Sequence, residues 1–337
     1  MLTRLYFPKG KIMDKNHVLT LEDTDPRVVA ALNAEQRLFA FYGMETKTHF
    51  VRLTRSGIRM RITETGTGEP VLIVPGNTGD VFPFASLMAE LQNRRIIAVN
   101  RPGGGMSEGM DHRKVDLREF AVEMLTSVLD TFSLDRAPII AHSIGGHWSL
   151  WLALDRPERV TSLTLLGVPG NLLSTCPPFA LRLLSLPVLN RLLLGLLTPG
   201  NPKQSLKGLS FLGHSPETIA RLPKAMADCY YHFQKLPHYQ ISILSLMERV
   251  NRLSGARPEV RLSADQLKRV QQPTMLLWGT NDPFGSIEIG RQISKILPSS
   301  NFHAIQGGGH LPWLDNPAEC GRLTLDFLSV AGKNQRG

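Results

Sequence analysis

From His49 onward the chain alternates between short apolar runs and longer stretches in which apolar residues recur every three or four positions. The runs VLIV (71–74), IIAV (96–99) and IIA (139–141) are uniformly apolar, TMLLWG (274–279) is mostly so, and VTSLTLL (160–166) is apolar at four of seven positions. They read as strands buried on both faces. Between them, 84–91, 117–132, 145–154 and 287–297 read as helices. In 117–132 the residues Phe120, Met124, Val128 and Phe132 fall on one helical face. The segments HFVRLTR and IRMRITE flank Ser56-Gly57 and alternate in character, as the arms of a hairpin do. FHAIQ (302–306) predicts a further strand, and 317–330 a last helix. This alternation predicts an α/β fold, a parallel sheet with helices on both faces.

Two stretches break the pattern. Residues 1–47 precede it. Within them Thr24-Asp25-Pro26, followed by Val28, Val29, Ala31 and Leu32, predicts a capped helix with Pro26 at its first position. This extension is expected to pack on the main domain or to lead to a partner. Residues 170–272 are helical in pattern, rich in Leu and punctuated by Pro. The expected organisation is an N-terminal extension (1–47), one core built from 48–169 and 273–332, and a helical cap (170–272) inserted between its two pieces.

Composition narrows the class. With 337 residues, 42% hydrophobic and 20% charged, the chain has material for a sizeable core. Three well-separated cysteines, Cys176, Cys229 and Cys320, argue against a disulfide framework, and no cluster has metal-ligand spacing. The N-terminus lacks the apolar run of a secretory signal, and no 18-residue stretch is free of charge. A cytoplasmic protein without metal or cofactor is expected. The net charge of +9 is concentrated: 170–272 holds thirteen Lys/Arg against five Asp/Glu, a surplus of eight. The charges are scattered without a basic-aromatic recognition pattern, so a solvated surface is expected and nucleic acid is not.

The chemistry centres on Pro138-Ile139-Ile140-Ala141-His142-Ser143-Ile144-Gly145-Gly146. An apolar strand, a sharp turn and a helix start place Ser143 at the carboxyl end of a sheet strand, where small residues two before and two after let the turn pack. Ala141 stands where Gly is usual. The elbow puts the backbone N–H of Ile144 at a helix N-terminus, where it can stabilise an oxyanion. A serine hydroxyl needs a base, and the base an orienting carboxylate. His310 follows a strand and the run Gly307-Gly308-Gly309, a setting no other of the ten histidines shares. Asp282 follows the strand ending at Gly279 and is closed off by Pro283. Asp315 reads as a structural cap before Pro317. His142 is assigned packing or hydrogen bonding. The Gly103–Gly105 run lacks the context of a phosphate loop.

Over about 49–330 the chain resembles the α/β-hydrolase superfamily, in its capped, esterase- or lipase-like serine hydrolases. Val74-Pro75-Gly76-Asn77 resembles the oxyanion loop, and Asn100-Arg101-Pro102-Gly103-Gly104-Gly105-Met106-Ser107 the D-x-R-G-x-G-x-S turn. Ala141–Gly145 resembles the nucleophile elbow. Gly279-Thr280-Asn281-Asp282 and Gly308-Gly309-His310 resemble the acid and histidine loops, in the family order. The resemblance implies a mostly parallel eight-stranded sheet, a Ser143–Asp282–His310 triad and a second oxyanion donor in the backbone N–H of Asn77. Pro75 and Asn100 depart from the usual His and Asp; little effect on chemistry is expected.

In FALRLLSLPVLNRLLLGLL (179–197) leucines cover much of a helical surface, and Pro187 breaks it. Two readings stand: helices buried within the cap, or a lid whose inner face lines an apolar pocket or whose outer face touches lipid. The leading functional expectation is hydrolysis of a hydrophobic small-molecule ester through an acyl-enzyme. Alternatives are cleavage of a carbon–carbon bond in a vinylogous diketone; a lactone, thioester or amide substrate; or a non-catalytic ligand receptor. Epoxide and haloalkane hydrolysis are disfavoured, since related enzymes carry Asp at the position of Ser143. A membrane-scaffolding role is a weaker option, with peripheral membrane contact through the cap. The sequence leaves the oligomeric state open.

Overall fold

The computed structural model describes residues 17–18, 24–167, 171–175 and 177–333. Eight strands form one sheet: β1 (Lys47–Arg52), β2 (Arg59–Thr65), β3 (Pro70–Val74), β4 (Arg95–Val99), β5 (Ala137–His142), β6 (Val160–Leu166), β7 (Thr274–Gly279) and β8 (Ser300–Ile305). Their order is β8-β7-β6-β5-β3-β4-β2-β1. The pairings from β3 through β8 are parallel, and β2 pairs antiparallel with both β1 and β4. β3 and β5 are bracketed by other strands, and Leu72, Ile73, Val74, Ile139, Ile140 and Ala141 are all fully buried. That is why the central strands are apolar without alternation, while the edge strands β1 and β8 mix exposed and buried positions.

The principal helices are α1 (Pro26–Phe41), α2 (Ala85–Glu90), α3 (Leu117–Thr131), α4 (Ile144–Asp155), α5 (Leu189–Leu197), α6 (Lys224–Phe233), α7 (Pro237–Val250), α8 (Ile287–Ile296) and α9 (Pro317–Lys333). Two apolar clusters cover the two faces of the sheet. One joins α3 and α4 to Leu72, Ile97, Ile139 and Leu276; the other joins α1, α2 and α9 to Val71, Ile73, Ile140 and Leu277. α3 starts on Asp116, whose carboxylate accepts from Glu119 N–H, and buries Phe120, Met124 and Val128. α4 is apolar all round, and Ile144 through Ala153 are buried, as expected of a helix at the centre of a core.

The N-terminal helix is part of this packing. Asp25 caps α1 and Pro26 sits in its first turn. Val28, Ala31 and Leu38 are fully buried, and α1 lies against α6 of the helical segment. Glu35 pairs with Arg61 of β2 at 2.5 Å, both nearly inaccessible. The segment between β6 and β7 belongs to the same cores: Leu206, Leu209, Met226 and Phe233 join one cluster, Leu246, Val250 and Val260 the other. α7 binds the sheet loops through Ser242 and Ser245, whose hydroxyls accept from Met110 N–H and His112 N–H. Cys229 and Cys320 are buried free thiols; Cys176 lies outside the described residues. No helix among the described residues is long and apolar enough to cross a membrane.

Candidate active site

β5 ends at His142 and α4 begins at Ile144, so Ser143 alone makes the turn. It does so with φ 51° and ψ −123°, an unfavourable conformation for a residue with a Cβ. The turn brings α4 against the end of β3. A Cβ on Gly145 would lie 2.4 Å from Pro75 O and 2.5 Å from Val74 O. Glycine is therefore required two residues after Ser143, whereas Ala141, inside β5, meets no such restriction.

Ser143, His310 and Asp282 form one hydrogen-bonded chain. His310 Nε2 lies 3.0 Å from Ser143 Oγ, and His310 Nδ1 lies 3.1 Å and 3.0 Å from the two carboxylate oxygens of Asp282. A carboxylate at Nδ1 holds the proton there and leaves Nε2 to accept from the hydroxyl. Asp282 is fixed by Phe284 N–H, which donates to Oδ1 at 2.9 Å. The Phe284 ring stacks on His310 at 3.8 Å and 11°. His142 packs edge-on against His310 and Trp313. Its Nε2 lies 3.0 Å from His310 O, a carbonyl that can only accept, so this nitrogen carries the proton. Burial, and then the nearness of His310, holds His142 well below the usual histidine range, so it stays neutral.

The loop after β3 passes directly over the elbow. A Cβ on Gly76 would lie 2.5 Å from His142 Nδ1 and 3.3 Å from Ser143 Cβ. Asn77 lines the same cavity as Ser143. Buried Arg101 anchors this loop: Nε donates to Pro75 O at 3.0 Å, and Nη2 donates to Gly76 O. In a trans peptide the N–H points opposite to the C=O, so holding Gly76 O on Arg101 directs the Asn77 N–H to the other side. The guanidinium also lies 4.5 Å over Trp148, and burial lowers its pKa to about 9, still cationic at neutral pH. Ile144 N–H leads the first turn of α4. Asn100, which departs from the family turn, is structural: its Oδ1 accepts from Val81 N–H.

Four positions differ from the sequence expectation or escape it. Asp315 does not cap α9; Asn316 does, accepting from Glu319 N–H. Asp315 Oδ2 instead accepts from Gly309 N–H and from His214 Nδ1, both at 2.9 Å. His214 comes from the helical segment between β6 and β7, and Leu311 N–H donates to its Nε2 at 3.4 Å. Both neighbours of His310 are thus tied to one buried His–Asp pair. Phe284 and Arg101 are the other unanticipated supports. Arg101 stood in the family turn without an assigned role; neither His214 nor Phe284 has a local sequence signature.

The leucine-rich stretch is not buried within the helical segment. Pro187 ends its first turns, Val188 takes φ 72°, and α5 follows with Leu192 and Leu196 exposed. Leu181, Leu184 and Leu196 line a cavity of about 660 Å³ that reaches Ser143 and His310, with Phe84, Phe211 and Phe284 on its walls. A more open depression of about 820 Å³ runs along α3 between charged residues and includes none of Ser143, Asp282 or His310.

A strand–serine–helix elbow, with a histidine and an aspartate arriving from the next loops of a mostly parallel eight-stranded sheet, defines an α/β hydrolase. Comparison with known proteins agrees: residues 69–317 match the family described as alpha/beta hydrolase fold, and the chain belongs to it. It is similar to the 2-hydroxy-6-oxononadienedioate/2-hydroxy-6-oxononatrienedioate hydrolase of Burkholderia vietnamiensis, with 24% identity over 83% of this chain and 94% of the relative. Among solved structures, a carboxylesterase from Bacillus subtilis superposes with TM-score 0.63 at 17% identity, covering 89% of this chain and 97% of the other. A meta-cleavage product hydrolase from Pseudomonas fluorescens superposes with TM-score 0.65 at 17% identity, covering 84% and 98%.

Proposed function

We propose that the protein is a serine hydrolase that opens an acyl bond in an apolar small molecule, and that the bond is an ester. Ser143 Oγ attacks the carbonyl carbon while His310 Nε2 takes its proton. Asp282 keeps the imidazole oriented and stabilises the imidazolium that forms. The backbone N–H groups of Asn77 and Ile144 receive the developing oxyanion. His310 then protonates the departing alkoxide, and water, activated by the same imidazole, releases the acid. The observation that carries this reading is the Ser143–His310–Asp282 chain at the end of a leucine- and phenylalanine-lined cavity.

A second reading is carbon–carbon bond hydrolysis, which the names of the relatives favour. A nonadienedioate carries two carboxylates. Among the described cavity-lining residues Lys207 is the single Lys or Arg, and Asp80 adds a carboxyl. That lining suits an uncharged substrate better than a dicarboxylate, which supports the ester reading. A panel of p-nitrophenyl esters of rising chain length, run beside a dienoate ring-fission product, separates the two. The ester reading requires turnover that rises from acetate to medium chains and is lost in Ser143→Ala. Turnover of the ring-fission product alone selects the second reading. A fluorophosphonate label on Ser143 without turnover of either class would favour a ligand receptor.

A further inference from the structure

α5 is turned inside out. Val188, Leu192 and Leu196 are 79%, 61% and 75% exposed; a spacing of four puts Leu192 and Leu196 on one face of α5, and Val188 is the residue just before its start. Among the side chains of α5 whose burial is described, the buried one is polar: Asn190 is inaccessible, and its Nδ2 donates to Glu248 Oε1 at 2.7 Å. A helix held in this way keeps its apolar face for something outside the chain. Phe211, 68% exposed, adds to the same surface, because Leu196 and Phe211 both line the cavity that ends at Ser143.

Charge decides what that surface meets. Residues 171–216 contain Arg182, Arg191, Lys203 and Lys207 and no Asp or Glu. Arg191, Lys203 and Lys207 are exposed, and Lys207 stands at the cavity. A second copy of the chain would set these cations against one another. An anionic lipid surface takes the leucines into its headgroup–acyl boundary and the cations at its phosphates.

We propose that this face docks on an anionic phospholipid bilayer, with Val188 and Leu192 inserted and the mouth of the cavity turned toward the lipid, from which substrate enters. The entry route rests on the hydrolase reading; the docking does not. The test is flotation of the full chain with vesicles of phosphatidylglycerol and phosphatidylcholine in equal parts, and with phosphatidylcholine alone. The protein is expected to float with the anionic vesicles, to release with rising salt, and to stay behind with the neutral ones. Each cation beside the leaflet contributes roughly five-fold to partitioning, so Arg191→Glu with Lys203→Glu weakens binding by at least about 25-fold. Val188→Glu with Leu192→Glu abolishes flotation, while turnover of a short, water-soluble p-nitrophenyl ester stays at the wild-type level. Wild-type protein that stays behind, floats equally with neutral vesicles, or is matched by these variants overturns the proposal. So does a dimer in sedimentation velocity that Val188→Glu with Leu192→Glu converts to monomer, since that assigns the face to a second copy. If no ester is turned over, the ester reading fails separately, and circular dichroism takes over as the check on folding.

Discussion

Replacing His214 with alanine tests whether the loop carrying His310 is held from outside the sheet. The His214 side chain is inaccessible and that of Asp315 is 6% exposed, so neither finds water as a substitute partner. Two bonds vanish with the imidazole: one to the Asp315 carboxylate and one from Leu311 N–H. The first, to a charged group, is worth about 1.5–3 kcal/mol, and the second about 0.5–1.5 kcal/mol, giving a loss of about 2–4.5 kcal/mol. Among the described residues Asp315 Oδ1 has no hydrogen-bond partner, so the carboxylate would rest on Gly309 N–H alone among its present donors. Because Gly309 and Leu311 flank His310, the imidazole loses its register over Ser143. A displacement near 1 Å costs about 100-fold in turnover. The expected result is kcat lowered about 10- to 100-fold, KM changed little, and a lower urea midpoint with unchanged slope. His214→Asn, which keeps a donor near Nδ1, should recover part of both. A folded His214→Ala with kcat within about two-fold of wild type would refute the positioning argument.

Further substitutions probe the rest of the site. Asp282→Asn removes the partner that fixes the imidazole tautomer and should lower kcat by about 10³–10⁴-fold with the fold intact, read by ester turnover and near-ultraviolet circular dichroism. Gly145→Ala forces a methyl against two backbone carbonyls at 2.4 and 2.5 Å; it should cost about 1–3 kcal/mol in urea unfolding and push the Asn77 loop off Ser143, lowering kcat further than KM. Burial, then the charge of Arg101, lowers the His112 pKa to about 3. Below pH 6.5 the unfolded chain therefore takes a proton that the folded one refuses. Stability should fall as pH drops from 6.5 toward 3, and His112→Asn should flatten that slope by up to about 1.4 kcal/mol per pH unit. Asp80 has the opposite sign: burial raises its pKa to about 7, so the folded state holds a proton the unfolded chain has lost. Asp80→Asn should gain on wild type in urea unfolding as pH rises from 4 to 7, while keeping the acceptor for Gly105 N–H.

The parts of this molecule that sequence exposes are those whose cause is local. VLIV is apolar because β3 is covered on both faces, and β3 contains the predicted 71–74. Ser143, Asp282 and His310 each follow a strand end, and an ordered sheet leaves such ends one direction to face, so the structure brings the three together. Helix starts were legible for the same reason: Asp25 and Pro26 act within one turn. The 84–91 prediction loses definition because Phe82–Phe84 winds as a 3₁₀ turn before α2, and Pro83 and the aromatic packing of Phe84 on Trp313 shape that turn.

What escaped depends on partners distant in the chain. Asp315 resembles a cap until His214, 101 residues away, arrives at its carboxylate. The leucines of 179–197 suit a buried helix as well as an exposed one; on α5 the Glu248 carboxylate of α7 accepts from buried Asn190, and Val188 and Leu192 face outward. The same logic explains how function attaches to the helical segment. His310 N–H donates to Leu212 O at 2.7 Å, so the backbone that carries Phe211 and Leu212 along the cavity also carries the histidine loop. A change in how residues 206–214 sit therefore alters substrate access and imidazole position together. On this reasoning the segment cannot be shortened through 206–214 without losing turnover even of small esters that need no apolar wall, and such a deletion should fail on p-nitrophenyl acetate as fully as on longer chains.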